Sequence, residues 1–139
     1  MTERSHNYIF LDVDGVLNEH CELPLIYECL ANLASVVKAT KANVIVSSSW
    51  RDFPDMMEIL VESFRKFDIE YCGTTEPNHS KGWAIDKFLE DHKDEIRKYA
   101  VIDDDYTLKS YFGDHFVLCC STFDEDAKNR TLALLDQVK

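Results

Sequence analysis

Positive charge is scarce in this chain: 15 lysines and arginines stand against 26 aspartates and glutamates, a formal net charge of −11. Affinity for a phosphate backbone comes mainly from Lys and Arg, so this balance argues against a broad electrostatic grip on nucleic acid. It leaves room for a phosphate held locally by a metal and a few cations. No apolar run is long enough to span a bilayer, and no secretory hydrophobic segment stands at the N-terminus, so a cytoplasmic protein without a membrane partner is expected. The five cysteines, Cys21, Cys29, Cys72, Cys119 and Cys120, lack C-x-x-C spacing. Odd in number and so placed, they argue against a disulfide framework, a disulfide-linked partner or a structural zinc. No linker, repeat or low-complexity tract breaks the 139 residues, a length that suits one domain over 1–139 with a real core.

What is present centres on Tyr8-Ile-Phe-Leu11-Asp12-Val13-Asp14-Gly15-Val16-Leu17-Asn18. An apolar run stops on two carboxylates spaced i, i+2 and then a glycine. A strand projects alternate side chains the same way, so Asp12 and Asp14 emerge on one side where Gly15 lets the backbone turn. Two carboxylates there are costly to keep together without a cation. An EF-hand loop also starts Asp-x-Asp, but Val16 and Leu17 occupy places where it needs oxygen ligands.

Further along, Pro24 suits the first turn of a helix with Leu25, Ile26, Cys29, Leu30, Leu33, Val36 and Val37 on one face. Ala42–Val46 reads as a second strand, ending on Ser47-Ser48-Ser49-Trp50-Arg51. Pro54 opens a second helix with Met56, Leu60, Phe64 and Phe67 inward. Ile69–Cys72 is a short third strand, and Ser80 caps a helix from Lys81 that turns Ile85, Phe88 and Leu89 inward. Tyr99–Ile102 is a fourth strand, stopping on Asp103-Asp104-Asp105, and His115–Cys119 a fifth. Thr122-Phe-Asp-Glu125 matches a capping box for a last helix through Thr131, Leu134, Leu135 and Val138. Alternating strands and helices imply a mostly parallel five-stranded sheet covered on both faces, with ligands beyond the strands' carboxyl ends. Three of the runs end in polar clusters at that edge: Asp12/Asp14, Ser47 to Arg51, and Asp103 to Asp105.

The order Asp-x-Asp-Gly, Ser after a strand, Lys at a helix start, then Asp-Asp after an apolar run resembles the four motifs of the haloacid dehalogenase (HAD) superfamily, from Tyr8 to about Leu118. D-V-D-G-V-L-N with V-I-V-S-S-S-W-R and V-I-D-D-D looks most like small HAD domains grouped with RNA-repair systems, distant cousins of polynucleotide 3′-phosphatases. The resemblance implies an α/β, Rossmannoid three-layer sandwich and a Mg²⁺-dependent phosphomonoesterase. It makes Asp12 the nucleophile and Asp14 the general acid–base; Ser47 bonds a phosphoryl oxygen and Lys81 neutralises the transferring group. Mg²⁺ would lie on Asp12, Asp103 and the main-chain carbonyl of Asp14, with Asp104 either a further ligand or orienting a bound water. Ser48, Arg51 and Asn18 are candidate substrate contacts, and Trp50 is either a stacking surface or core. Asp105 either starts a turn or touches metal. Residues 16–46 and 52–80 leave no room for the cap domain that selects small substrates in many HAD enzymes, and Asn18 to Leu23 form at most a flap. An uncapped, open site suits a phosphate on a nucleic-acid end or another large substrate; a nucleotide or small metabolite is the alternative.

The chemistry fits on its own terms, because phosphoryl transfer is mostly positioning and charge stabilisation, and a carboxylate cannot approach an anionic phosphate without a cation between them. Two readings from other classes compete: a phosphate-binding module without turnover, and a receiver domain. The second places its phosphoacceptor after the third strand, an order this chain does not follow.

Overall fold

The computed structural model describes residues 5–19, 22–120 and 122–137. Five strands, β1 (Asn7–Leu11), β2 (Asn43–Val46), β3 (Tyr71–Thr74), β4 (Lys98–Asp103) and β5 (Phe116–Leu118), form one sheet in the order β3-β2-β1-β4-β5. Every pairing is parallel. The helices are α1 (Tyr27–Thr40), α2 (Pro54–Lys66), α3 (Lys81–Asp91), the short α4 (Lys109–Phe112) and α5 (Glu125–Leu134). This is a HAD-like three-layer α/β sandwich, and no cap domain is inserted among the described residues.

Alternation along the strands builds two cores. Leu11, Val46, Ile102 and Val117 pack with Leu33 of α1, Leu60 and Phe64 of α2 and Ala127 of α5. On the opposite face Phe10, Ile45, Val101 and Phe116 pack with Ile85 of α3 and with Leu108 and Phe112. Ile9, Phe10 and Leu11 of β1 are fully buried, so its C-terminal end is held rigidly at the centre of the sheet. Among the described residues no helix is long and apolar enough to cross a membrane, and Cys29, Cys72, Cys119 and Cys120 are free thiols.

Several boundaries differ from the sequence reading. Pro24 lies before the helix: Ile26 is extended, its N–H bonds Leu17 O at 2.8 Å, and α1 starts only after this tertiary tie. The third strand begins at Tyr71 because Asp68 adopts a left-handed φ of 57° and Ile69 N–H returns to Phe64 O, so Ile69 finishes the C-terminus of α2. The last helix is capped by Asp124, whose carboxylate accepts from Ala127 N at 2.9 Å, and not by Thr122. Cys21, Val138 and part of the Asn18–Leu23 flap lie outside the described residues.

Candidate active site

The site is built where the central strands run out. Leu11 pairs with Val46 on one side and Ile102 on the other, and the ladders continue one step further through Ser47 N to Leu11 O (2.9 Å) and Asp12 N to Ile102 O (3.0 Å). Ser47, Asp12 and Asp103 therefore stand side by side across three strands, and neighbours in register share a face of the sheet. That face is the one covered by α3, whose first residue is Lys81. Ser80 starts the helix by accepting from Trp83 N at 3.4 Å.

Lys81 Nζ lies 3.2 Å from Asp12 Oδ1 and 3.1 Å from Asp103 Oδ2, bridging the ends of two adjacent strands. Carboxylate oxygens of Asp12, Asp103 and Asp104 lie within 4.8 Å of one another. Burial and the neighbouring Asp103 push the Asp12 carboxyl up to about 8, with Lys81 opposing. Asp103 is likewise raised by burial, against the pull of Lys81. Burial disfavours the charge on Lys81, yet the two carboxylates outweigh it and hold its pKa above the ordinary lysine value. One ammonium between two buried acids leaves a deficit of positive charge, the condition under which a cation is attracted.

Asp14 is held by its own neighbourhood. Trp50 Nε1 and Asn18 Nδ2 both donate to Asp14 Oδ1 at 3.0 Å, while Asn18 Oδ1 accepts from Gly15 N at 2.9 Å. Gly15 has φ of +83°, and a Cβ there would run into the Asp104 carboxylate. The glycine thus lets the loop after β1 and the end of β4 close on one another.

The three residues expected to touch substrate are occupied inside the protein. Asn18 is fully buried and orients Asp14; Ser48 is fully buried and its Oγ accepts from Trp50 N at 3.1 Å. Arg51 donates to main-chain carbonyls of Ser47 and Ser48 (both 2.9 Å), Glu76 (3.2 Å) and His79 (2.6 Å). It clamps the turn after β2 to the loop that delivers Lys81. Trp50 belongs to the core, only 2 % exposed, with its N–H turned to the site. Asp105 starts a turn, accepting from Thr107 N and Thr107 Oγ1.

The site is also less open than a missing cap suggests. Asp12 is 2 % exposed, and Ser47 and Asp103 are fully buried. A cavity of about 580 Å³ lies beside α1, and another of about 670 Å³ lies beside α2, lined in part by Arg51 and Thr74. A cavity made by helix packing says little about a site whose floor is charged and closed by its own ion pairs, so the chemistry is placed by the side chains.

One residue escaped the sequence reading. Thr75, just past β3, is fully buried, and its hydroxyl, like that of Ser47, has no hydrogen-bond partner among the described residues. Its signal was weak, because a threonine after a short strand is an ordinary turn residue.

No curated protein and no solved structure gives a significant match to the chain. The family model described as the HAD domain in Swiss Army Knife RNA repair proteins matches residues 8–123, which takes in β1 through the approach to α5 and every strand end described above. With well over half its length matched, the chain belongs to that family of HAD domains.

Proposed function

We propose that this protein is a Mg²⁺-dependent phosphomonoesterase that works through an aspartyl-phosphate on Asp12 and acts on a phosphorylated nucleic-acid end. Membership of the HAD family supports phosphatase activity in general. The observation that carries the finer reading is Lys81 Nζ spanning Asp12 and Asp103 at 3.2 and 3.1 Å, beside the unpartnered hydroxyl of Ser47.

The donor set suits a hard divalent ion. Asp12, Asp103 and Asp104 offer three carboxylates within 4.8 Å of one another, and oxygen ligands of this kind are what Mg²⁺ takes. Together with the main-chain carbonyl of Asp14 they would hold it. When bound, the ion offsets the repulsion between the Asp12 carboxylate and an anionic phosphate.

The chain's own residues supply the rest. Asp12 attacks phosphorus, a P–O bond forms to its carboxylate, and the ester bond breaks. Asp14 gives its proton to the leaving oxygen; it then takes one from the water that attacks the aspartyl-phosphate, releasing inorganic phosphate and restoring Asp12. Both donors to Asp14 fall on Oδ1, so Oδ2 carries this proton traffic. Acid–base transfer of this kind supplies roughly 10²–10⁴-fold. Lys81 and the Ser47 hydroxyl balance charge on the phosphoryl oxygens, and a lysine at the first turn of α3 adds to the positive end of the helix dipole.

The net charge of −11 favours a second reading, a nucleotide or small metabolite as substrate. A nucleic-acid end bound through several phosphates would lose affinity as salt rises, whereas a mononucleotide would not. The deciding experiment is hydrolysis of a generic aryl phosphate with and without Mg²⁺ by wild type and Asp12→Asn, followed by a panel of phosphorylated oligonucleotides and nucleotides. Mg²⁺-independent hydrolysis, or full activity of the variant, removes the mechanism.

A further inference from the structure

Four adjacent strands change from apolar to polar at the same level of the sheet. Thr75 follows β3, Ser47 follows β2, Asp12 follows β1, and Asp103 ends β4. Each is at most 2 % exposed. One step upstream β2, β1 and β4 carry Val46, Leu11 and Ile102, packed in the core. The polar row is therefore a switch in sequence at a fixed depth, with Thr75 as its outermost member.

Thr75 reaches that row through an irregularity. Val44 pairs with Tyr71 but Val46 pairs with Thr74, so β3 carries one extra residue, at the place where Gly73 takes a φ of +121°. Bulges of this kind re-aim side chains. Here the extra residue sets Thr75 opposite Ser47, with Thr75 N–H bonding Val46 O at 3.0 Å, and since neighbours in register share a face this assigns Thr75 to that of Asp12 and Asp103. Arg51 then ties the two segments together through the carbonyls of Ser47, Ser48, Glu76 and His79.

Ser47 and Thr75 carry the two buried side-chain hydroxyls without a hydrogen-bond partner among the described residues, so they are not bonded to each other either. A buried hydroxyl left unsatisfied is unfavourable, and valine would fill the place of Thr75 without that penalty. Neighbouring strands lie about 4.8 Å apart. A single acceptor oxygen set about 1.4 Å off the line between two hydroxyls at that spacing lies about 2.8 Å from both.

We propose that Thr75 is a second hydroxyl donor to the phosphoryl group, sharing with Ser47 one non-bridging oxygen of a phosphate monoester held at Asp12. This role rests on the phosphatase function proposed above. The site then grips its tetrahedral anion from one side with Lys81 and from the other with a pair of hydroxyls whose spacing is set by the sheet.

The test compares Thr75→Val, which keeps shape and removes the hydroxyl, with Thr75→Ser, which keeps the hydroxyl. Two quantities are measured in the presence of Mg²⁺: the inhibition constant of inorganic phosphate against aryl phosphate hydrolysis, and the rise in unfolding temperature that inorganic phosphate produces. The Val variant should bind phosphate about tenfold more weakly or worse, as loss of a hydrogen bond to a charged group predicts. Its unfolding temperature without phosphate should stay the same or rise, and the Ser variant should bind as wild type does. Wild-type phosphate affinity in the Val variant overturns the role of Thr75 while leaving the phosphatase intact. A wild-type protein that neither hydrolyses aryl phosphate nor binds inorganic phosphate overturns both.

Discussion

The indole N–H of Trp50 donates to Asp14 Oδ1 at 3.0 Å, joining a core side chain that is 2 % exposed to the second carboxylate of the D-V-D-G motif. The bond fixes the carboxyl plane from the buried side, while Asn18 fixes it from the loop. Trp50→Phe keeps most of the packing and removes only the donor. Such a loss of a charge-assisted bond costs about 1.5–3 kcal/mol at that carboxylate. Turnover of an aryl phosphate should fall roughly ten- to a hundredfold by the same measure, with KM little changed. An equal rise in KM would instead make Trp50 a substrate contact.

Arg51 separates bracing from recognition in the same way. Four donor contacts to main-chain carbonyls hold the turn at Ser47 against the loop at Glu76 and His79, and lysine cannot reproduce that fork. Arg51→Lys should lower stability by about 2 kcal/mol and reduce kcat through a displaced Lys81. Denaturant unfolding alongside steady-state kinetics checks this; a normal unfolding curve with a raised KM would return Arg51 to the substrate.

The buried acids make a pH prediction for protein stripped of divalent ions. Folded Asp12 holds its proton up to about pH 8, because of burial and of Asp103, whereas an unfolded aspartate loses it near pH 4. Between those values the folded state binds more protons than the unfolded one, so stability falls as pH rises, by at most about 1.4 kcal/mol per pH unit for one group. Urea unfolding from pH 5 to 8 should show that slope, and Asp12→Asn should flatten it. Adding Mg²⁺ should stabilise wild type more at pH 8 than at pH 5, since metal and proton compete for the same oxygens.

Gly15 offers a test of the metal ligands that leaves every carboxylate in place. Its φ of +83° is unfavourable for other residues, and a Cβ would collide with the Asp104 side chain. Gly15→Ala should cost about 1–2 kcal/mol of stability and weaken Mg²⁺ binding, because Asp104 must move. Calorimetric titration with Mg²⁺ would show it; unchanged affinity would remove Asp104 from the ligand set.

Much of this site was legible along the chain because its components sit where apolar runs stop. Asp12 and Ser47 directly follow β1 and β2, Asp103 ends β4, and Ser80-Lys81 opens a helix, so local patterns place them at one edge. The partners of Asn18, Arg51 and Trp50 were not legible, since nothing local distinguishes a donor aimed at substrate from one aimed at a neighbouring carboxylate or carbonyl. Thr75 was hidden for a related reason: its place opposite Ser47 depends on an extra residue in β3, which no periodicity announces. The early start assigned to the first helix failed because Ile26 answers to Leu17 O, a contact made only in the folded chain.

Lys81 sits as a resident countercharge between Asp12 and Asp103, so the acidic floor is already partly neutral before any divalent ion arrives. Domains whose ligands are left uncompensated, as in zinc fingers, cannot assemble until metal joins them. Here the scaffold would form in a magnesium-poor setting, and the Mg²⁺ proposed above would serve as a reagent for the reaction instead of a rivet in the architecture.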